Sequence, residues 1–566
     1  MKRAFSIVFI SWRYYVVLAA ISILVGVLAG RVLYLSLVQR PFLQTQGEAR
    51  SLRVINIPAF RGMITDRNGY PLAVSAAVSS AWVNPQDFSP TAAQWKLLQR
   101  YLVINTHKLA QQLHHEKTKG REFFYLKRGL DPTLAESLKN QKIPGLYFQT
   151  EFKRFYPEAE VSAQLLGFTN VDDRGQEGIE LAYNDWLQGV PGRKVVLHNR
   201  LGEVISDLRL LRDQKPGRPV ALSIDRRIQY LAYRELMQGV EKNAAQAGTA
   251  IVLDVKTGEV LAMVNYPSFN PNHRADAPKN AFRNRAVTDI FEPGSTIKAF
   301  SVASALDSGK FNPNTVIDTF PGWIRVGRNV VHDEKNNGEL SLAEVLQKSS
   351  DVGTTKMILS LPPEHLWEVL HHVGFGEQTG IEFPGEQAGV LVKRPRWGAF
   401  MTATLSFGYG ISVTPIQLAR AYAVLANDGI KMPITLLRRD QVPAGERVME
   451  SAVSKQMLGL LESVVEAKES TGRLARVPGY RVAGKTGTAR MLANTGYQKD
   501  HHISSFIGLA PVSHPQVVVA VIIYDPQGRS HMGSQVSAPI FSKIMQGSLR
   551  VLNVQPDGVE ETPNKA

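Results

Sequence analysis

The sequence predicts a mixed α/β (α+β) protein that carries one N-terminal membrane helix. Three features support this: a long apolar run near the N-terminus, strand-like segments at both ends of the C-terminal half, and helical segments between them. Of its 566 residues, 44% are hydrophobic and 20% are charged, a composition that excludes extensive disorder. At about 150 residues per domain, the length predicts three or four domains.

The charge and the cysteine content restrict the function further. The 65 basic and 50 acidic residues give a net charge of +15, which favours nucleic acid, an anionic membrane surface or an acidic polymer as partner. There is no cysteine, which excludes disulfides, thiolate metal sites, iron–sulfur clusters and a cysteine nucleophile. The absence of thiols also suits a protein that folds in an oxidising compartment.

The apolar run covers residues 14–38 and contains a single charged residue, Arg31. It is long enough to cross a bilayer, and it is longer than the apolar part of a cleavable signal peptide. We therefore expect an uncleaved transmembrane anchor. Lys2, Arg3 and Arg13 precede the run without an acidic residue, so residues 1–13 are expected in the cytoplasm and the bulk of the chain outside it.

Beyond the anchor, the sequence divides into two modules and a tail. The Pro- and Gly-containing segment QKPGRP marks a boundary, so we expect an N-terminal module over 39–215 and a second over 216–550. Residues 551–566 are expected to form a flexible, solvated tail. Within the first module, Asp66-Arg67-Asn68-Gly69 lies between two apolar-patterned segments and predicts a β-hairpin.

The second module begins and ends with strands. GTAIVLDVKTGEVLAMVNYP predicts two strands around a turn, and further strands are predicted in VAGKTGTARM, SSFIGLAPV and QVVVAVIIYDP. Helical patterns occupy 295–309, 341–360 and 414–428. This arrangement predicts an antiparallel sheet packed by helices.

One candidate nucleophile is Ser295, which follows the turn Pro293-Gly294 at the expected start of a helix. Lys298 comes three residues later, on the same helix face. A serine hydroxyl needs a base to become a nucleophile, and a lysine whose pKa is lowered can be that base. An N-cap serine beside a surface lysine is the alternative interpretation.

Two further clusters contain side chains suited to catalysis. SLAEVLQKSSDVG opens with a capping box, and its predicted helix ends near Ser349 and Asp351, which can face one cleft. Lys485-Thr486-Gly487-Thr488 lies in a predicted strand, where lysine and threonine side chains can hold a carboxylate. The alternatives are a polar helix end and a solvated edge strand.

Together, the three clusters match the S-x-x-K, S-D-N and K-T-G motifs of penicillin-binding proteins in their order. The chain resembles class B penicillin-binding proteins, in particular the division-specific transpeptidases. It departs from their pattern at Asp351, where division-type enzymes usually have Asn. The segments that carry the resemblance are RGMITDRNGYPLAVS, RFYP, LLGF, GIELAYNDWLQG, FEPGSTIKAF, SFGYGISVTPIQLARAYAVLANDG, VAGKTGTA and VSAPIF.

The resemblance implies an elongated N-terminal pedestal of the dimerisation type and a transpeptidase domain of the serine β-lactamase-like fold. It implies D,D-transpeptidation: Ser295 attacks the penultimate D-Ala of a stem peptide, Lys298 is the general base and Ser349 relays a proton. It also implies that the substrate is bound by Asp351, Lys485, Thr486, Gly487 and Thr488.

The resemblance also implies the partners and the location. The substrates are peptidoglycan stem peptides, and β-lactams are covalent inhibitors. A membrane glycosyltransferase of the FtsW type and other division proteins are the expected protein partners. No cofactor, metal or nucleic acid is expected, and the catalytic domain is expected in the periplasm at the division septum, anchored in the inner membrane.

Four other functions are compatible with part of the sequence. An elongation-specific class B transpeptidase shares the reaction, and Asp351 resembles its motif. A β-lactam-sensing receptor would need a cytoplasmic signalling domain, and a β-lactamase would not need the N-terminal module. Nucleic-acid binding accounts for the charge but not for the three motifs.

Overall fold

The computed structural model describes residues 11–198, 204–493 and 496–558. Contacts divide the chain into two compact units. The first contains residues up to 59 together with 78–151 and 189–215, and the second contains 60–77, 152–188 and the residues from 216 onward. Two stretches of the predicted N-terminal module therefore group with the C-terminal unit. The functional boundary at residue 215 stays a prediction.

The N-terminal helix agrees with the predicted anchor. An α-helix over Ser11–Leu33 continues as a π-helical turn over Tyr34–Val38. The segment Trp12–Val38 has a mean hydropathy of 2.5 and is not buried, so it is long and apolar enough to cross a membrane. The first ten residues of the predicted cytoplasmic N-terminus, and residues 559–566 of the predicted tail, lie outside the described residues.

The first unit combines a small sheet with a helical cluster. Its sheet is antiparallel, with Gly192–His198 between Leu52–Ile57 and Val204–Arg212. A separate core forms because leucines recur at helical spacing in the helices Ala92–Leu102, Thr106–Thr118 and Pro132–Lys139 and bury one face of each. The other elements are the helices Arg40–Ser51, Ala92–Leu102, Thr106–Thr118 and Pro132–Lys139, the strand Phe124–Leu130, and parts of the strands Pro71–Val83 and Leu146–Phe155.

The predicted hairpin at Asp66 is confirmed in the second unit. Strand Ile64–Thr65 pairs antiparallel with the start of strand Pro71–Val83. The Asp66 carboxylate accepts hydrogen bonds from the backbone N–H of Asn68 and Tyr70, both at 2.8 Å. Gly69 has φ +84°, a conformation that favours glycine, so the sequence of the turn explains its shape.

A buried charge cluster lies in the same unit. Glu180 accepts hydrogen bonds from Arg61 Nε at 2.5 Å and from Arg154 Nε at 2.6 Å, and all three side chains are almost fully buried. Buried charges cost desolvation energy unless they are paired and hydrogen-bonded. The carboxylate of Glu180 therefore compensates two guanidinium groups at once.

Replacing Glu180 with glutamine should destabilise the protein strongly. The change leaves two buried guanidinium groups without the carboxylate that hydrogen-bonds both of them, which should lower the free energy of unfolding by about 3–5 kcal/mol. Thermal unfolding of the full chain measures the effect. Glu136→Gln is the control, because its pair with Lys139 is exposed and worth at most about 1 kcal/mol. Equal unfolding temperatures for both variants would contradict the prediction.

The predicted antiparallel sheet is confirmed. Its five strands are β1 (Ala245–Asp254), β2 (Val260–Tyr266), β3 (Ala483–Ala493), β4 (Gly496–Ala510) and β5 (Val517–Pro526). They lie in the order β2-β1-β5-β4-β3, and every neighbouring pair is antiparallel. The strand with the Lys-Thr-Gly-Thr sequence, β3, is therefore at an edge, with one side open for pairing.

Helices cover both faces of this sheet, which is why β5 is a continuous apolar run. The labelled helices are α1 (Arg226–Lys242), α2 (Lys298–Asp307), α3 (Leu342–Gln347), α4 (Asp351–Leu359), α5 (Ala399–Ser406), α6 (Pro415–Ala426) and α7 (Gly533–Val551). Residues of α1 and α7 share a core with Ala250 and Val252, whereas α2 and α6 share one with Ile251 and Leu253. Successive residues of β1 thus point to opposite cores.

The remaining elements surround this sheet. The predicted helical segment 341–360 is two helices, α3 and α4, separated where the sequence predicted a helix end. The others in the second unit are the short helices Ala163–Leu166, Gly178–Ala182, Asn184–Leu187 and Arg285–Thr288, the helices His365–His372 and Ser451–Glu466, and the short strands Val220–Ala221, Val316–Asp318, Trp323–Val326, Asn329–His332, Glu339–Ser341, Ile430–Lys431 and Glu446–Arg447.

Candidate active site

Ser295 lies in a single 3-10 turn, Gly294–Ile297, that leads directly into α2. Gly294 has φ +55°, and its N–H donates to the carbonyl of Gly408 at 3.2 Å. The turn is fixed from behind, because the buried Tyr422 hydroxyl donates to the carbonyl of Thr296 at 2.8 Å. Ser295 itself is partly exposed, so its hydroxyl is accessible on a rigid support.

Lys298 is the first residue of α2 and is fully buried. Its Nζ lies 2.5 Å from Asp351 Oδ1 and 3.1 Å from Ser349 Oγ, and it also donates to the Ser349 carbonyl. The interpretation of Lys298 as a surface lysine is therefore wrong. No hydrogen bond joins the Ser295 hydroxyl to Lys298 within the described part of the chain.

Ser349 lies between α3 and α4 with φ +56°, a left-handed conformation that is uncommon for a residue other than glycine. This backbone strain is compensated by contacts on both sides of the hydroxyl. Besides Lys298, the Nζ of Lys485 lies 3.0 Å from Ser349 Oγ. Ser349 thus bridges the two lysines that the sequence placed in separate motifs.

Asp333 fixes the loop that carries Ser349. Its carboxylate accepts a hydrogen bond from the Ser350 hydroxyl at 2.6 Å and from the Val352 N–H at 2.9 Å. Ser350 also caps α4 by accepting from the N–H of Gly353 at 2.8 Å. Asp333 is not predictable from the sequence, because it precedes the loop by many residues and no local motif marks it.

Asp351 is the first residue of α4, where the helix dipole favours a negative charge. Its side chain is 33% exposed, and it faces Lys298. The carboxylate also affects Tyr409, a residue that the sequence analysis did not single out. Burial and then the charge of Asp351 raise the pKa of the Tyr409 phenol.

Lys485 is fully buried in β3, so a solvated edge strand is the wrong description of this segment. In addition to Ser349, its Nζ approaches the Thr486 carbonyl at 3.3 Å and the Thr486 hydroxyl at 3.5 Å. Burial, reinforced by the nearby charge of Lys298, lowers the pKa of Lys485 well below its ordinary value, and Asp351 opposes this effect.

Gly487 and Thr488 determine how β3 packs against the serine turn and the start of α7. A Cβ on Gly487 would lie 2.4 Å from Ser505 Oγ and 2.8 Å from Thr296 Cγ2, so only glycine lets β3 pack against the serine turn. Thr488 is partly exposed, and its hydroxyl accepts a hydrogen bond from the Gly533 N–H at 3.0 Å. Thr486 is almost fully buried.

The structure therefore brings the three sequence motifs into one cluster. Lys298, Ser349, Asp351 and Lys485 are in direct contact, and Ser295 and Thr488 lie on the two elements that pack at this cluster. No group of three or more His, Asp and Glu residues within the described ranges is arranged to hold a metal ion. A serine hydroxyl such as that of Ser295 can perform nucleophilic acyl transfer when buried amines lie near it and a second hydroxyl, that of Ser349, bridges them.

Comparison with protein families gives two matches along the chain. Residues 248–546 match the model of the penicillin binding protein transpeptidase domain. Residues 56–222 match the model of the penicillin-binding protein dimerisation domain. The first match contains all three motifs of the candidate site.

The chain is similar to two bacterial relatives over most of its length. It is 42% identical to the probable peptidoglycan D,D-transpeptidase PbpC of Pseudomonas aeruginosa, covering 98% of this chain and 97% of that protein. It is 41% identical to the peptidoglycan D,D-transpeptidase FtsI of Escherichia coli K12, with coverages of 97% and 94%.

Two solved structures resemble different extents of the chain. The transpeptidase domain of Burkholderia pseudomallei penicillin-binding protein 3 is 42% identical with a TM-score of 0.55, covering 59% of this chain and 97% of that one. A peptidoglycan synthetase from Bifidobacterium adolescentis is 26% identical with a TM-score of 0.70, covering 90% of this chain and 98% of that one.

Proposed function

The chain belongs to the penicillin-binding protein transpeptidase family, and we propose on this premise that it is a class B peptidoglycan D,D-transpeptidase that cross-links stem peptides during cell division. The observation that carries the proposal is the contact of Lys298 and Lys485 with one hydroxyl, that of Ser349, beside the turn of Ser295. Relatives named FtsI support the division role over the elongation role.

In the proposed first step, the Ser295 oxygen attacks the carbonyl carbon of the penultimate D-Ala. The Ser295 proton passes to the neutral amine of Lys298, and the tetrahedral intermediate then expels the terminal D-Ala. Ser349, which contacts Lys298, relays a proton to the leaving amine. The products are an acyl-enzyme on Ser295 and free D-Ala.

Two groups of donors would hold the substrate. The backbone N–H groups of Ser295 and Thr488 are proposed as the oxyanion hole, which stabilises the negative charge that develops on the carbonyl oxygen. Lys485, Thr486 and Thr488 would bind the terminal carboxylate. Since β3 is an edge strand, an extended stem peptide can also pair with its backbone.

In the second step, an amine of another stem peptide attacks the acyl carbon and releases Ser295. The product is a cross-link between two peptides. A β-lactam resembles the D-Ala-D-Ala end, so it would acylate Ser295 and leave an adduct that the acceptor amine does not remove.

Incubation of the protein with a stem pentapeptide and an amine acceptor tests the proposed function. Free D-Ala and cross-linked peptide are expected in equimolar amounts. The absence of both products would refute the proposed function.

The proposed location follows from the N-terminal helix and its flanking charges. We propose a single crossing of the inner membrane with the catalytic domain in the periplasm at the septum. The proposed partners there are a glycosyltransferase of the FtsW type and other division proteins.

Imaging of a fluorescent penicillin bound to the protein tests the proposed role in cell division. A signal at mid-cell is expected for a division enzyme, whereas a lateral signal would indicate an elongation enzyme.

A reporter fusion tests the proposed topology. A reporter that folds only outside the cytoplasm, fused after Ala566, should be active, because Lys2, Arg3 and Arg13 favour a cytoplasmic N-terminus. Deleting residues 14–38 is the control and should leave the reporter in the cytoplasm without activity. An expressed but inactive fusion to the full chain would reverse the orientation.

A further inference from the structure

The hydrogen bonds around Lys298 fit a charged amine. Its Nζ has three acceptors: Asp351 Oδ1 at 2.5 Å, Ser349 Oγ at 3.1 Å and the Ser349 carbonyl. An ammonium group has three N–H donors, whereas a neutral amine has only two. In this arrangement Lys298 has no lone pair to accept the proton of Ser295.

Lys485 has a different environment although it is equally buried. Its Nζ lies 3.0 Å from Ser349 Oγ and 3.3 and 3.5 Å from two oxygens of Thr486, and no carboxylate pairs with it among the residues described. A neutral amine fits these contacts, because its two N–H groups can donate to Thr486 while its lone pair accepts the single hydroxyl proton of Ser349. Burial and the charge of Lys298 lower the pKa of Lys485. This amine is therefore the one that has the capacity to accept a proton.

We infer that Asp351 is a positioning residue that keeps the proton on Lys298 in the resting enzyme, and that this proton passes through Ser349 to Lys485 when the substrate carboxylate binds. The inference rests on the proposed function, in which Lys485 receives that carboxylate. It assigns a role to the residue at which this chain departs from the usual Ser-x-Asn motif.

The transfer balances without any other reactant. Lys298 gives one proton to the Ser349 oxygen, and the hydroxyl proton of Ser349 passes to Lys485. Lys298 becomes a neutral amine and Lys485 an ammonium, while Ser349 is unchanged. Neutral Lys298 then accepts the proton of Ser295, so the nucleophile is activated only after the anionic substrate has been bound.

Electrostatics gives the direction of each step. The carboxylate of Asp351 favours the charged form of Lys298, whereas a substrate carboxylate beside Lys485 favours its charged form. Asp351 also acts on Lys485, where it opposes the effect of burial, and on Tyr409, which is itself influenced by Glu292 and Arg490. Asp333 is engaged with Ser350 and Val352 instead.

The first test is the pH dependence of acylation by benzylpenicillin. The second-order rate constant of the full chain is measured between about pH 5 and 10. In Asp351→Asn the rise of the rate should move to lower pH by about 1–3 units, since the counter-charge of Lys298 is lost. Asp351→Glu retains the charge and should keep the wild-type profile.

The control variants show whether the charge of Asp351, and not only its structural role, sets the pH profile. Asp440→Asn is the matched control, because it makes the same charge change at an exposed surface pair and should not move the profile. Superimposable profiles for wild type and Asp351→Asn would overturn the inference. Equal shifts in Asp351→Asn and Asp351→Glu would also overturn it, because the charge would then not be the cause.

The second test addresses the transfer to Lys485. The first-order acylation constant of the saturated complex is compared for benzylpenicillin and its methyl ester, which lacks the carboxylate. The acid should react faster than the ester in the wild type, and this ratio should fall at least several-fold in Asp351→Asn, where the proton is no longer held on Lys298. An unchanged ratio would overturn the transfer. If the wild type formed no adduct on Ser295, the proposed function itself would fail.

Discussion

Replacing Ser295 with alanine is expected to abolish the covalent adduct with penicillin while the fold is retained. Loss of a serine nucleophile removes the atom that forms the acyl bond, and the rate should fall by about a million-fold. The fold should tolerate the change, because Ser295 is partly exposed and its hydroxyl makes no hydrogen bond within the described residues. Intact-mass analysis after penicillin treatment should find one adduct on the wild type and none on the variant.

A serine just beyond the C-terminal end of α2 provides the control. The Ser308 hydroxyl follows α2 and donates to the carbonyl of Ala305 at 2.7 Å, so Ser308→Ala should keep the full adduct. An adduct on the Ser295→Ala variant would contradict the assignment, and peptide mapping would then identify the true nucleophile. Ser349 would be the next residue to examine, because its hydroxyl contacts both lysines.

The sequence was sufficient to predict the family, the antiparallel sheet and the convergence of its motifs. The strands could be predicted because β-branched residues form runs that are buried on both faces, as in β5. The capping box at Ser341 and Glu344 was likewise predictable, since it depends on residues three apart. The family membership predicted from the three motifs is confirmed.

The contacts between motifs could not be predicted from local pattern. Asp333 holds the loop of the left-handed Ser349 through Ser350 and Val352, and it reaches this loop only through the tertiary fold. The burial of Lys485 depends on the elements that pack against β3, and an isolated strand pattern gave no indication of it. The pair between Lys298 and Asp351 likewise requires two helices to meet.

Replacing Lys485 with methionine is expected to lower the acylation activity and to raise the stability of the folded protein. Acylation should fall by about 100-fold or more, because the variant loses the amine that is proposed to become charged and bind the substrate carboxylate. The folded protein should nevertheless gain stability of about 1 kcal/mol or more at neutral pH, since methionine fills similar space without burying an amine. Acylation kinetics and thermal unfolding of the same sample measure the two effects.

The pH dependence of this gain follows from the lowered pKa of Lys485. Between that pKa and the unfolded value of about 10.4, the unfolded chain binds a proton that the folded protein does not. The wild type therefore becomes more stable as pH rises, by at most about 1.4 kcal/mol per pH unit. The advantage of the methionine variant should therefore be largest at low and neutral pH and vanish near pH 10. Lys455→Met, at an exposed lysine, should show no such dependence. A methionine variant whose advantage did not change with pH would mean that Lys485 stays charged in the folded protein, and Lys485 could then not serve as the proton acceptor.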